Sequence, residues 1–477
     1  MSELCDLSAV RLRRMIGAGE ISPVELLAAC RARTKRVNPR LNAITTACWE
    51  RAEAEAEQAE QVVRAGGPLG PLHGLPVGIK DLQLTEGVRT TFGSPLFADH
   101  VPEADERGVA AVRAAGAIVV GKTNVPEFGA GANTNNPVHG PTGNAFDPAR
   151  ICGGSSGGSA VALATGMVPL ATGSDTGGSL RTPAAYSGVV GFRPSPGLVP
   201  VERRAIGWSP LSVQGAMGRD IPDTALLFAA MAASDARDPL SYPTDPSVLA
   251  RPPEIDLASL RVVVSEDLGF APVDEGIRRS FAEAVARIEG CFASVERRDP
   301  PLDGADEIFE ILRAAQFLVA HEANFETNRD KLGPNIVANV EQALTYSFRD
   351  AARAQADHTA LYRRFVDFMT DVDLLLAPMA AVPPFPVEQL YPTHINGEEL
   401  RSYFHWLGLA YGITLTAHPA VSIPCGLDPT GTPFGLQLVS KRYADWHLLG
   451  MAGALEAHLQ TIPGLARPIP DLAALST

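Results

Sequence analysis

Serine, glycine and lysine at a few positions carry the chemistry this chain could do. Gly153-Gly154-Ser155-Ser156-Gly157-Gly158-Ser159 is followed, after an apolar run from Ala160 to Ala171, by Gly173-Ser174-Asp175-Thr176-Gly177-Gly178-Ser179. Glycine lets a backbone approach a ligand closely and turn several N–H groups toward one point. Serines set among such groups are candidates for a nucleophile beside an oxyanion hole. A flexible Gly/Ser linker has a similar composition, but Ala160-Val161-Ala162-Leu163-Ala164 would not interrupt one. Upstream, Lys80 closes the apolar stretch Leu75-Pro76-Val77-Gly78-Ile79. A lysine at a strand end is usually solvated; burial would lower its pKa toward a neutral base. A neutral lysine beside serine hydroxyls could replace the histidine of a Ser-His-Asp relay.

Three other spellings compete. Gly116-Ala117-Ile118-Val119-Val120-Gly121-Lys122-Thr123 matches the phosphate-loop pattern GxxxxGK[ST]. Its variable positions prefer an extended strand rather than a loop that curls around phosphates, so the spelling reads as coincidence. Asp175-Thr176-Gly177 resembles an aspartic-protease half-site, but no second half is present to share a proton. GxSxG occurs around both Ser155 and Ser156, yet Ala145 to Arg150 is a poor strand to lead into a nucleophile elbow. His321-Glu322 lacks the second histidine of a zincin, and no metal-ligand cluster appears.

The surrounding elements alternate between strands and helices. Ser22-Pro23-Val24-Glu25 offers an N-cap, a proline at the first helical position and a capping box. Arg51 to Arg64 is free of Gly and Pro and reads as an exposed helix. Helices are expected over Glu103 to Ala115 and near 274–290, 304–327 and 335–370. Strands are expected at Leu75 to Asp81, Ala117 to Val120, Arg261 to Val264, Leu374 to Leu376, Val421 to Pro424 and Gly435 to Val439, with a proline-rich loop from Pro378 to Pro392. The alternation argues for an α/β fold with helices covering a mainly buried sheet.

Bulk properties narrow the function. Lysine plus arginine number 40 against 54 acids, a net charge of −14, which disfavours broad nucleic-acid or anionic-membrane binding. The six cysteines, Cys5, Cys30, Cys48, Cys152, Cys291 and Cys425, form no CxxC pair and suggest a reduced, cytoplasmic protein. Met1 to Arg14 lacks the apolar core of a signal peptide, and no apolar run is long enough to span a bilayer.

Gly153 to Gly158, with Gly173-Ser174-Asp175-Thr176-Gly177-Gly178-Ser179-Leu180-Arg181-Thr182-Pro183, resembles the amidase signature. Gly74 to Asp81, Gly121 to Asn124, Gly188 to Phe192, Ser212 to Gly215 and His418 to Pro424 resemble further family segments, so the likeness covers roughly the whole chain in order. It implies one α/β/α domain around a large mixed sheet over 1–477: a helical segment to about 66, a signature core at about 70–220 and the rest of the sheet and its covering helices over about 221–477. It further implies a Ser-cis-Ser-Lys triad of Lys80, Ser155 as the cis-serine and Ser179 as the nucleophile. The implied oxyanion hole is made by the N–H groups of Thr176, Gly177, Gly178 and Ser179, with Ser156, Asp175 and Arg181 as supports. The resemblance implies no cofactor and no metal, and a small-molecule amide as partner; it allows a homodimer.

The segment after Asn124 is implied to line the acyl pocket: Phe128, Gly129, Ala130, Gly131 and Ala132. The A subunits of glutamyl-tRNA amidotransferases resemble this chain but carry a Met-Gly-Ser-Ser type segment there. The smaller residues here argue for a stand-alone amidase with room for a bulky or aromatic acyl group. Phe128, Phe146, Trp208, Phe404 and Trp406 are candidate walls. The alternative enzyme is the A component of a tRNA-dependent amidotransferase. An inactivated binding protein is the non-enzyme alternative, disfavoured because all three triad positions are occupied by the expected residues.

Overall fold

A single large sheet brings the distant motifs together. The computed structural model describes residues 2–249 and 251–476. In chain order the strands are β1 (Ile44–Ala47), β2 (Pro76–Lys80), β3 (Ile118–Thr123), β4 (Leu170–Asp175), β5 (Val190–Arg193), β6 (Val213–Gly218), β7 (Arg261–Val264) and β8 (Ser294–Arg297). They continue as β9 (Leu374–Pro378), β10 (His394–Ile395), β11 (Glu398–Glu399), β12 (Ala420–Leu427) and β13 (Pro433–Val439). The pair β10–β11 stands apart as a small ladder; the other 11 form one sheet in the order β1-β3-β2-β4-β6-β5-β12-β13-β9-β7-β8.

The sheet is mixed. The strands β3, β2 and β4 run parallel on one side, and β9, β7 and β8 on the other. Antiparallel pairs through β6, β5, β12 and β13 join the two groups. Both faces are buried, as alternate side chains show. Val119 joins one apolar cluster and its neighbours Ile118 and Val120 another; Ala216 and Met217 on β6 divide the same way. Such strands read as continuous apolar runs because neither face meets water.

Helices cover the sheet largely where periodicity and caps placed them. Pro23–Leu41 begins at Ser22 with the expected capping box with Glu25. Trp49–Arg64 buries Ala52, Ala56 and Ala59 on one face, so it is amphipathic rather than exposed all round. The helix expected from Glu103 starts at Arg107, because Asp105 and Glu106 accept hydrogen bonds from the Glu86 and Leu84 N–H groups instead. The stretch 335–370 is two helices, Pro334–Thr345 and Phe348–Phe368, parted where Ser347 caps the second with Asp350. Among the described residues, no helix is long and apolar enough to cross a membrane.

Candidate active site

The carboxyl ends of adjacent parallel strands are where α/β sheets place ligands, and here β2 ends on Lys80 beside Ser174 and Asp175 at the end of β4. The Lys80 backbone N–H donates to Thr172 Oγ1 at 3.1 Å, which locks the strand end. Its side chain is wholly buried. Lys80 Nζ lies 2.8 Å from Ser155 Oγ, 2.9 Å from Ser174 Oγ and 3.3 Å from the Ser174 carbonyl oxygen. Burial pushes its pKa down to about 7, against the pull of the Asp175 carboxylate.

The first glycine cluster is the lead into a helix. Gly157–Ala164 is buried along its whole length, so the run that separates the two motifs is a core helix, not a spacer. The Gly154–Ser155 peptide is cis. The Ser156 N–H donates to the Ser179 carbonyl oxygen at 3.2 Å, fastening one cluster to the other. Ser156 Oγ lies 3.4 Å from both the backbone N and O of Ser174.

Asp175 organises the second cluster. Its carboxylate accepts from the Gly178 N–H at 3.0 Å and the Leu180 N–H at 3.1 Å. Arg181 donates to it through Nε at 3.0 Å and Nη2 at 2.9 Å, and Arg193 through Nη1 at 3.2 Å. Burial alone would raise this carboxyl; the two guanidiniums and the N–H donors outweigh it and hold it well below the usual range. Arg181 also reaches the Ala410 carbonyl, Thr414 and Gln437, so it ties the loop to the helix Gly408–Leu415 and to β13. At Gly178, with φ +104°, a Cβ would come 2.5 Å from that of Ala410, so only glycine fits.

Of the four N–H groups expected to face an oxyanion, that of Gly178 is committed to Asp175. No protein acceptor is found among the described residues for those of Thr176, Gly177 and Ser179. Ser179 is half-buried, its hydroxyl makes no hydrogen bond to the described residues, and it lines a cavity of about 470 Å³.

That cavity takes in only part of the expected pocket. Phe128, Gly129 and Gly131 line it. Ala130 faces the other way, packed with Leu332 and Ile336, and Ala132 is buried in the main core. The alternation follows from the backbone: Gly129 and Gly131 have φ of +74° and +115°, so the chain turns between them. Of the candidate walls, Phe128 and Phe404 line the cavity. Phe146 packs elsewhere, Trp208 is 77% exposed, and Trp406 is buried against Phe385 with its Nε1–H on the Tyr403 carbonyl.

Sequence reasoning missed Ser174 as a partner of Lys80, and missed the wall formed by the helix Ala305–Thr327. That helix sends Phe309, Arg313, Phe317 and His321 into the cavity at four-residue spacing. The signal was present as a charged residue in an apolar helical stripe. Lys122, the lysine of the phosphate-loop spelling, is buried in β3 and donates to Thr85 Oγ1 at 2.7 Å and to the Gln83 carbonyl. The described residues hold no cluster of three or more potential metal ligands.

The family model described as Amidase matches residues 25–449. An acylamidase of Rhodococcus erythropolis is 32% identical over 454 residues, covering 94% of this chain and 95% of that protein. The A subunit of the glutamyl-tRNA(Gln) amidotransferase of Symbiobacterium thermophilum is 33% identical over 479 residues, covering 94% of this chain and 96% of that protein. Among solved structures, a bacterial aryl acylamidase of the amidase signature enzymes superposes with a TM-score of 0.88 at 26% identity, covering 97% of this chain and 99% of that one.

Proposed function

The chain belongs to the amidase family, and on that premise we propose that it hydrolyses a carboxylic amide through an acyl-enzyme formed on Ser179. The observation that carries this reading is the buried contact of Lys80 Nζ with Ser155 Oγ at 2.8 Å, beside a cavity that Ser179 lines.

A neutral amine has two N–H donors and one lone pair. The Ser174 carbonyl can only accept, and Ser174 Oγ can take the second donor. The lone pair is then left for the Ser155 proton. Ser155 gives that proton to Lys80 and takes the proton of Ser179, whose oxygen attacks the amide carbon. The N–H groups of Thr176, Gly177 and Ser179 meet the developing oxyanion, each contributing roughly 3 kcal/mol in such sites. As the C–N bond breaks, Ser155 protonates the departing nitrogen and recovers a proton from Lys80. Water, deprotonated through the same relay, attacks the ester and releases the acid and Ser179. Asp175, Arg181 and Ser156 hold the loop in shape without touching the reacting atoms.

The relatives called acylamidase favour an N-acyl amide and a stand-alone enzyme. A fluorophosphonate followed by mass spectrometry tests the nucleophile, and a screen over aryl, alkyl and amino-acid amides tests the reaction. An adduct on Ser179 with turnover of some amide is expected; labelling at another serine, or no turnover of any amide, overturns the reading. The amidotransferase relatives favour a second reading. Its mark would be preference for glutamine or asparagine over all other amides.

A further inference from the structure

One cation in the cavity has no carboxylate facing it. Arg313 is 7% exposed and lies on the helix Ala305–Thr327. Its guanidinium carbon sits 4.3 Å from the ring centre of Phe317, 4.6 Å from that of Phe404 and 5.2 Å from that of Tyr403. Two of its N–H groups donate to neutral acceptors, Asn339 Oδ1 and Tyr403 Oη, which leaves further donors uncommitted. No carboxylate among the described residues lies within 4.0 Å of it. The other buried arginines around the site differ: Arg181 and Arg193 pair with Asp175, and Arg204 with Asp238.

The rest of the lining does not supply the missing charge. Glu106 is the acidic side chain of the lining; it accepts from the Leu84 N–H and from Gln214 Nε2, and burial pushes it up to about 7. Beside Arg204, which is paired with Asp238, exposed Arg203 adds a further cation to the same lining. Burying a cation without a counter-ion is costly. Stacking on aromatic faces offsets part of that cost and fixes the guanidinium plane, while the N–H groups that Asn339 and Tyr403 do not take remain for an acceptor in that plane.

We propose that Arg313 recognises a carboxylate on the substrate, so that the site takes amides carrying a second, ionised acid group joined by an apolar segment that lies along Phe309 and Phe317. The proposal rests on reading this cavity as the amidase site. It adds a specificity residue and a substrate class to that reading.

The test compares matched pairs on the wild-type protein: glutaramic acid against pentanamide, with the carboxylate on the acyl side, and 4-acetamidobenzoate against acetanilide, with it on the amine side. In at least one pair kcat/KM should favour the carboxylate by about tenfold or more, and the winning pair says which side of the scissile bond Arg313 reads. Arg313→Gln should collapse that ratio mainly through KM, and Arg313→Lys should restore part of it; a purely structural arginine would lower both members alike. Calorimetry with glutarate against pentane-1,5-diol, neither of which has an amide to hydrolyse, needs no turnover and no variant, and glutarate should bind about tenfold tighter, less so as salt is raised. Neutral members equal to or better than the charged ones in both pairs, with no glutarate preference, overturns the proposal. If Ser179 takes no label and no amide turns over, the amidase mechanism fails instead, and the glutarate comparison still decides Arg313.

Discussion

Lys80 Nζ and Ser155 Oγ meet at 2.8 Å although 75 residues separate them in the chain, and the lysine has no exposure to water. A lysine so placed is a base only while neutral. Burial moves its pKa to about 7, which puts the change of state inside the working range of most enzymes.

The pH–rate profile follows from that sign. With the pKa lowered, Lys80 is neutral above about 7 and protonated below it. Amide kcat/KM should therefore climb about tenfold per pH unit below that point and level off above it. Glu106, on the same cavity, is pushed up to about 7 as well. The profile should be repeated in Glu106→Gln, where the acidic limb must persist if it belongs to Lys80. A flat profile down to acid unfolding would remove the neutral lysine from the mechanism.

Lys80→Ala should lose amide hydrolysis more severely than hydrolysis of an activated aryl ester, because an amine needs a proton to depart and a good phenolate does not. Measuring both substrates on one preparation gives the ratio directly. Equal losses would mean that Lys80 positions groups and relays no proton.

Ser179→Ala should lower amide turnover by about a thousandfold or more. The hydroxyl makes no hydrogen bond to the described residues and the residue is half-buried, so Tm should barely move. A well-folded variant with ordinary turnover would remove Ser179 from the chemistry.

Asp175→Asn should do the reverse, acting first on stability. It leaves Arg181 and Arg193, both fully buried, facing a neutral amide. Breaking a buried pair from one side costs about 3–5 kcal/mol, so the denaturant midpoint should fall clearly below that of Ser179→Ala. An unchanged midpoint would mean that the loop is held by other contacts.

The pocket segment yields two contrasting variants. At Gly129 the φ is +74° and a Cβ would lie 3.0 Å from Leu82 Cδ1 and 3.3 Å from Ser155 Oγ. Gly129→Ala should therefore cut kcat by about tenfold through displacement of Ser155, at a backbone cost of about 1 kcal/mol. Ala130→Met should leave the ratio of benzamide to acetamide turnover alone and cost about 1–3 kcal/mol of stability by overpacking against Leu332 and Ile336. A changed ratio would place Ala130 on the cavity after all.

Much of this was legible without coordinates, because it rests on local chemistry. The capping box at Ser22 and Glu25 depends on residues three apart, and the strands of β2, β3 and β9 announce themselves as apolar runs. The phosphate-loop spelling could be set aside because Ile118, Val119 and Val120 prefer an extended chain, and the strand is where they lie. Lys80 and the two serine clusters could be singled out by type, and their family resemblance supplied a set of roles. Spacing along the chain could not show that the lysine is buried, since a side chain's dielectric surroundings are set by elements that arrive from elsewhere. Only the packed sheet brings Ser174 within reach of Lys80, commits the Gly178 N–H to Asp175, and turns Ala130 away while Gly129 and Gly131 face inward. The same holds for Arg313: its helix was readable, but that its charge meets three aromatic rings and no acid is decided by which helix, loop and sheet edge close the cavity. Hydrophobic periodicity says which face of an element is buried; it does not say against what.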